Sequence, residues 1–164
     1  MMRKGKMEDI PAIMKMVQET VEIMREEHND QWDEVYPNAS VFEKDVQNGT
    51  LFVLEDNGNV IGSITVDQNQ PDEYKPIPWR KEGSSFIFHR LVVDPHSRGK
   101  GEATKLIKFA EMYAVDNHIP YMRIDTYSLN KKAQNLFEKN GYIKVGEMPY
   151  HGKTRPFFCY DKFL

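Results

Sequence analysis

Apolar residues recur at Ile10, Ile13, Met14, Val17, Val21 and Met24, the spacing of one helix face. Asp9 stands where an N-cap belongs, and Pro11 falls in the first turn. The methionines on or near this face read as core filling. A second, shorter helix fits Ser40 to Asn48, closed by Gly49. The period then changes. Thr50 to Glu55 and Val60 to Asp67 read as two strands joined by the turn residues DNGN at 56–59, a β-hairpin. Residues 68–84 form a long polar loop with three prolines, and loops of that length in a compact domain are often functional.

Phe86 to Val93 reads as a buried strand. Ala103, Leu106, Ile107, Ala110 and Ala114 mark another helix. Tyr121 to Thr126 is a strand, and Asn130 to Lys139 is a helix with Ala133, Leu136 and Phe137 on its inner face. Gly141 lies just past its end, and strands at Tyr142–Val145 and Phe157–Lys162 close the sheet. No repeat, low-complexity tract or linker interrupts this order, so a single domain over residues 1–164 is expected. The order predicts an α/β fold with a mixed sheet: hairpins are antiparallel, and a strand–helix–strand unit is usually a parallel crossover.

Composition narrows the classes. Of 164 residues 40% are hydrophobic, enough for a real core. A net charge of −3 argues against nucleic acid, which needs a basic field. Cys159 is the lone cysteine, so no internal disulfide forms, which suits a reducing compartment. No apolar run of about 18 residues predicts a membrane span, and the N-terminal MMRKGKMEDI has no signal-peptide h-region. A cytoplasmic protein is the expectation. His28, His96, His118 and His151 scatter over helix ends and loops with no metal spacing, so no metal is expected.

The informative stretch is HRLVVDPHSRGKGEATKLI, residues 89–107. A strand ends at Asp94-Pro95, then come Arg98, Gly99, Lys100 and Gly101, then a helix. A helix N-terminus is electropositive, with N–H groups that lack intrahelical partners. Glycines let an anion approach the backbone, and the two cations add charge for a phosphate. The stretch lacks the GxxxxGK[ST] of a phosphate-binding P-loop, and Thr104 stands where the dinucleotide fingerprint GxGxxG needs its third glycine.

What fits is R-x-x-G-x-A, spelled Arg98, Gly99, Lys100, Gly101, Glu102, Ala103, after a strand ending LVVDP. This resembles the GNAT superfamily of acetyl-CoA-dependent N-acetyltransferases. RIDTYSLNKKAQNLFEKNGYIKVGE, residues 123–147, resembles that family's later motif, a strand leading to a helix that begins near an Asn and ends F-E-K-x-G-[FY]. The resemblance implies a GNAT-type α/β fold: a mixed, mostly antiparallel central sheet flanked by helices and splayed at its middle strands. It implies that the turn from Arg98 to Thr104 wraps the CoA pyrophosphate. It implies that the backbone at Leu91, Val92 and Val93 binds the acetyl carbonyl and the pantetheine arm. Asn130, Ala133 and Phe137 are further cofactor contacts by the same resemblance. Glu102 departs from the apolar residue common there, and is expected to point outward.

Acetyl transfer needs a neutral amine, a polarised carbonyl and a proton for the departing thiolate. On a regular strand residues 87, 89, 91 and 93 share a face, which puts His89 on the side of the acetyl-binding residues. A His there suits passing the amine proton to solvent, and a half-buried, backbone-bonded His is the alternative. Phe137 is a second departure, because many relatives carry a Tyr whose hydroxyl protonates the thiolate. Tyr142, Tyr127, Tyr150 and Cys159 are candidate substitutes, beside water or unassisted departure.

Acids beside aromatics suit a cationic amine. They occur at residues 29–40, with Trp32 and Tyr36, and at 68–84, with Trp79. These three are candidate acceptor-binding residues, and an aromatic cover for the core edge is the alternative. A small amine is the preferred acceptor, with a peptide amine open. Such folds commonly homodimerise. An acyl-CoA-binding sensor without efficient catalysis is the alternative function, supported by Phe137. A scaffold that keeps only the fold is a third reading, disfavoured by the glycine turn.

Overall fold

The computed structural model describes residues 1–97 and 99–164. These divide into two compact units interleaved along the chain: 1–66 with 88–110, and 67–87 with 111–164.

The first unit carries strand β1 (Met2–Lys4), helix α1 (Ile10–Glu26), helix α2 (Ala39–Gln47), strands β2 (Leu51–Asp56) and β3 (Asn59–Asp67), most of β4 (Ile87–Val93) and the start of α3 (Glu102–Asp116). Its sheet runs β1-β2-β3-β4. β1 escaped the sequence reading because three residues show no period. It pairs antiparallel with β2, Arg3 opposite Val53. The expected hairpin is present, with Asp56 opposite Asn59. Its two turn residues, Asn57 and Gly58, have φ of 50° and 80°, the left-handed pair that a two-residue hairpin demands. Ile13, Met16, Val17 and Val21 of α1 pack with Phe42, Leu51, Val53, Trp32 and Val92 in one apolar core.

Asp9 precedes α1 as expected, yet its carboxylate does not cap that helix. It accepts instead from the Lys6 amide (2.8 Å) and from both terminal nitrogens of Arg3 (2.8 and 2.9 Å). The guanidinium offers two charge-assisted bonds that a helix amide cannot match. Arg3 accordingly holds the Asp9 carboxyl below its ordinary range. α2 has the side-chain cap: Asn38 accepts from the Val41 amide at 3.0 Å.

The second unit carries β5 (Tyr121–Tyr127), helix α4 (Lys131–Lys139), β6 (Ile143–Met148) and β7 (Phe157–Phe163), with the end of α3 and the segment 67–87. Its sheet runs β5-β7-β6, antiparallel throughout, and Phe86 makes one parallel bridge to Met122. Its core holds Tyr74, Ile77, Ile87, Tyr127, Met148, Phe157 and Cys159. Tyr74 and Ile77 come from the long polar loop, so that loop is folded onto the sheet.

Candidate functional site

β4 leads to the glycine turn through a short 3-10 turn, Pro95–Ser97. The Asp94 amide donates to Ile61 O (2.8 Å), the Asp94 carboxylate accepts from the His96 amide (2.9 Å), and its carbonyl accepts from the Ser97 amide (2.9 Å). Arg98 lies outside the described residues. Gly99 and Gly101 have φ of 90° and 80°, which side-chain-bearing residues rarely adopt. A Cβ built at either meets no atom within 4 Å. The glycines therefore serve no tight packing. They leave bare backbone in front of open space at the start of α3, as a cradle for an anion requires. Lys100 is exposed beside them.

Glu102 corrects the sequence reading. It points inward, 5% exposed, and its Oε2 is a buried oxygen with no hydrogen-bond partner. The cause is helical register. Glu102 stands four residues before Leu106, which is fully buried, so both lie on the inner face of α3. A buried carboxylate oxygen without a partner is costly, and the positive end of the helix dipole offsets part of that. The register was legible in the sequence. Ala103 and Thr104 follow, both half-buried.

β4 departs from regular alternation. Arg90 has φ 48°, a left-handed residue inside a strand. Ile87 and Phe88 are both buried, as are Val92 and Val93, with His89, Arg90 and Leu91 half-buried between them. The period-2 rule that placed His89 with Leu91 and Val93 is interrupted at Arg90. The Arg90 guanidinium grips Asp45 through Nε and Nη2, each at 2.8 Å, and donates through Nη1 to the Tyr36 hydroxyl at 3.1 Å. Trp32 is 8% exposed within the first unit's core, which favours the core-edge alternative for it.

In the second unit Asn130 caps α4, accepting from the Ala133 amide at 3.1 Å. Phe137 is buried between Tyr142 and Tyr160, with ring centroids 6.2 and 5.8 Å away. Gln134, which the sequence reading left out, is buried and donates to Tyr127 O and Ser128 O. Of the candidate thiolate donors, Tyr142 gives its hydroxyl proton to Glu111 at 2.9 Å, and burial raises its pKa well above the ordinary value. Burial pushes the Cys159 thiol up to about 12. Tyr127 is 1% exposed, while half-buried Tyr150 stacks on His151. Trp79 donates its indole N–H to Tyr74 O (2.9 Å), and the Arg123 guanidinium lies 4.8 Å from its ring centre. Sequence spacing suggested no metal donors, yet Glu19, Asp94 and His96 bring donor atoms within 4.8 Å of one another.

A family model described as the Acetyltransferase (GNAT) family matches residues 15–142. The chain belongs to the GNAT acetyltransferase family. GNAT enzymes take their acetyl group from acetyl-CoA. Among curated proteins, an uncharacterized N-acetyltransferase of Bacillus subtilis is 28% identical over 140 residues, 85% of this chain and 87% of that one. A streptothricin acetyltransferase of Escherichia coli is 38% identical over 69 residues, 42% of this chain and 40% of that one. Among solved structures, a GNAT acetyltransferase from Streptococcus agalactiae superposes with a TM-score of 0.88 at 25% identity, covering 100% of this chain and 95% of that one. The α/β fold expected for a GNAT enzyme is therefore the fold found. Among the described residues no helix is long and apolar enough to cross a membrane.

Proposed function

We propose that this GNAT acetyltransferase moves the acetyl group of acetyl-CoA directly to the amine of a small molecule. The observation that carries the donor half is the glycine turn. Gly99 and Gly101 hold left-handed backbone against open space at the start of α3, with Lys100 beside them. In this reading the turn from Gly99 to Thr104 takes the CoA pyrophosphate, and the backbone of Leu91–Val93 takes the pantetheine arm and the acetyl carbonyl. The neutral amine nitrogen attacks the thioester carbon, a C–N bond forms and the C–S bond breaks. The amine gives up a proton, for which His89 is the candidate relay, and the CoA thiolate takes one up. Similarity to the streptothricin acetyltransferase supports a small-molecule acceptor, and the aromatic and acidic stretch at 29–40 suits a cationic amine.

Calorimetric titration of acetyl-CoA, followed by thiol release across a panel of small amines and peptide amines, tests this. Saturable binding with thiol release from a small amine is the expected result. Gly101→Trp strains a residue at φ 80° and fills the open space, so acetyl-CoA should bind at least about tenfold more weakly. Wild-type protein that fails to bind acetyl-CoA overturns the donor half. Release only with peptide amines overturns the acceptor half.

A further inference from the structure

Arg90 carries two costs at one position. Its backbone is left-handed, where glycine would sit without strain. Its guanidinium is largely buried, with only 15% of the side chain exposed against 8% for Asp45. Buried ion pairs are seldom needed for stability alone, since apolar residues of similar volume do as well. Strained residues persist where the surroundings over-determine them, and they cluster at working sites.

The surroundings here are specific. Asp45, near the end of α2, receives the guanidinium on both oxygens, and Oδ2 also accepts from Thr65 Oγ1 on β3 at 2.7 Å. Two charge-assisted bonds in a planar fork fix the guanidinium plane. Its remaining arm, Nη1, points at the Tyr36 hydroxyl. Tyr36 sits in a stretch that is itself ordered. Asp33 Oδ1 accepts from the amides of Val35 and Tyr36, and the Asp33 amide donates to Tyr36 O. The backbone of 33–38 is thus set locally, and the ring of Tyr36 is set by Arg90. Arg90 lies between His89 and Leu91, so one side chain links the strand read as acetyl-binding to the stretch read as acceptor-binding.

We propose that Arg90 and Asp45 are positioning residues that fix the Tyr36 side chain against β4 and make Tyr36 a specificity residue for the amine acceptor. This rests on the function proposed above. A phenol held at one place discriminates by what it can hydrogen-bond, and a site built to bond a polar group rejects a partner lacking it more strongly than an apolar wall rejects a methylene.

The test compares kcat/KM for two accepted amines that differ by one charged group, in wild type, Tyr36→Phe, Asp45→Asn and the double variant. Tyr36→Phe removes one oxygen and leaves the ring. It should change the ratio of the two amines about tenfold through KM, with acetyl-CoA affinity within about twofold. Asp45→Asn should shift the ratio the same way, and the double variant should shift it no further, because residues acting through one contact are not additive. Arg90→Lys keeps the charge without the fork, and its ratio should fall between wild type and Asp45→Asn. A merely structural role for Asp45 would lower turnover of both amines equally. Turnover by Tyr36→Phe with an unchanged ratio overturns this inference alone, as does an additive double variant. Tyr36→Phe also serves should Asp45→Asn not fold. A wild type that releases thiol with no amine overturns the proposed function and this inference together.

Discussion

Two stretches stand out in the sequence for the same reason, aromatic residues beside acids: 29–40 and 68–84. The structure gives them different physics. In 29–40 most polar bonds are local, and the buried acid, Asp45, lies outside the stretch and is linked to Tyr36 through Arg90. In 68–84 the side chains reach across to the strands of their own unit. The Tyr74 hydroxyl bonds Asp125 on β5. Arg80 bonds Asp161 on β7 through its amide (3.0 Å) and its Nε (2.6 Å). Arg123 of β5 bonds Gln70 (2.9 Å) and Lys81 O while lying over Trp79. The first stretch is held by Trp32 in the core and by Tyr36 at Arg90, whereas the second is a strap whose polar side chains are pinned to the strands at several points. Composition alone does not tell a recognition surface from a strap. The side chains that reach β5 and β7 mark 68–84 as a strap.

The largest test of that contrast is Asp161→Ala. Asp161 is fully buried and serves Arg80 and the Tyr121 hydroxyl (2.8 Å) at once. Removing one partner of a buried pair strands the other. Arg80 is a third exposed and can turn to solvent, so the expected loss is about 2–4 kcal/mol, below the top of the range for such pairs. Urea unfolding measures it. The ratio between two amines should stay at the wild-type value. A changed ratio with little loss of stability would make 68–84 the recognition surface instead.

Much of this was legible beforehand, and what was missed has common causes. The 3.6-residue spacing placed α1, α3 and α4, and Asn57-Gly58 placed the hairpin turn, because both signals are local. The glycine turn was legible because a left-handed backbone leaves few residue choices. Glu102 lies inward against the expectation because its register with Leu106 outweighs its charge. Arg90 could not be anticipated: its guanidinium pairs with Asp45, 45 residues away, and distant ion pairs leave no periodicity. The same holds for Arg80 and Asp161, which turn a polar, proline-rich loop into part of a core.

A smaller effect separates Tyr74 from Tyr36. Tyr74→Phe deletes the hydroxyl bonded to Asp125 inside the second unit's core. Losing that bond should cost about 1–2 kcal/mol, the net worth of a hydrogen bond to a half-buried carboxylate. Thermal unfolding reads the loss, and amine KM should not move. Tyr36→Phe should show the reverse, a small change in melting and a clear change in KM. Matching behaviour of the two variants would erase the distinction between anchor and recognition residue.

The subtlest difference is in pH response, and the two tryptophans put one fluorophore in each unit. Trp32 lies in the first unit and Trp79 in the second. In the first, Arg3 holds Asp9 below its ordinary carboxyl range. Below that range both folded and unfolded chains are protonated, so this stabilisation is present above the unfolded pKa of 3.8 and is lost as pH falls through the folded one. In the second, burial pushes the Cys159 thiol from 9.0 up to about 12, and Tyr160 from 10.0 up to about 12. Between about pH 9 and 12 the unfolded chain binds fewer protons than the folded one, so stability falls as pH rises, by at most about 1.4 kcal/mol per unit for each group. Trp79 fluorescence in a Trp32→Phe variant should therefore report denaturant midpoints that fall above pH 9. Trp32 fluorescence in a Trp79→Phe variant should report the loss below pH 4. Cys159→Ala should flatten the alkaline slope seen by Trp79 and leave the acid limb seen by Trp32 unchanged. An alkaline slope equally steep in the alanine variant would mean that Cys159 ionises as readily folded as unfolded, and that burial does not hold its proton.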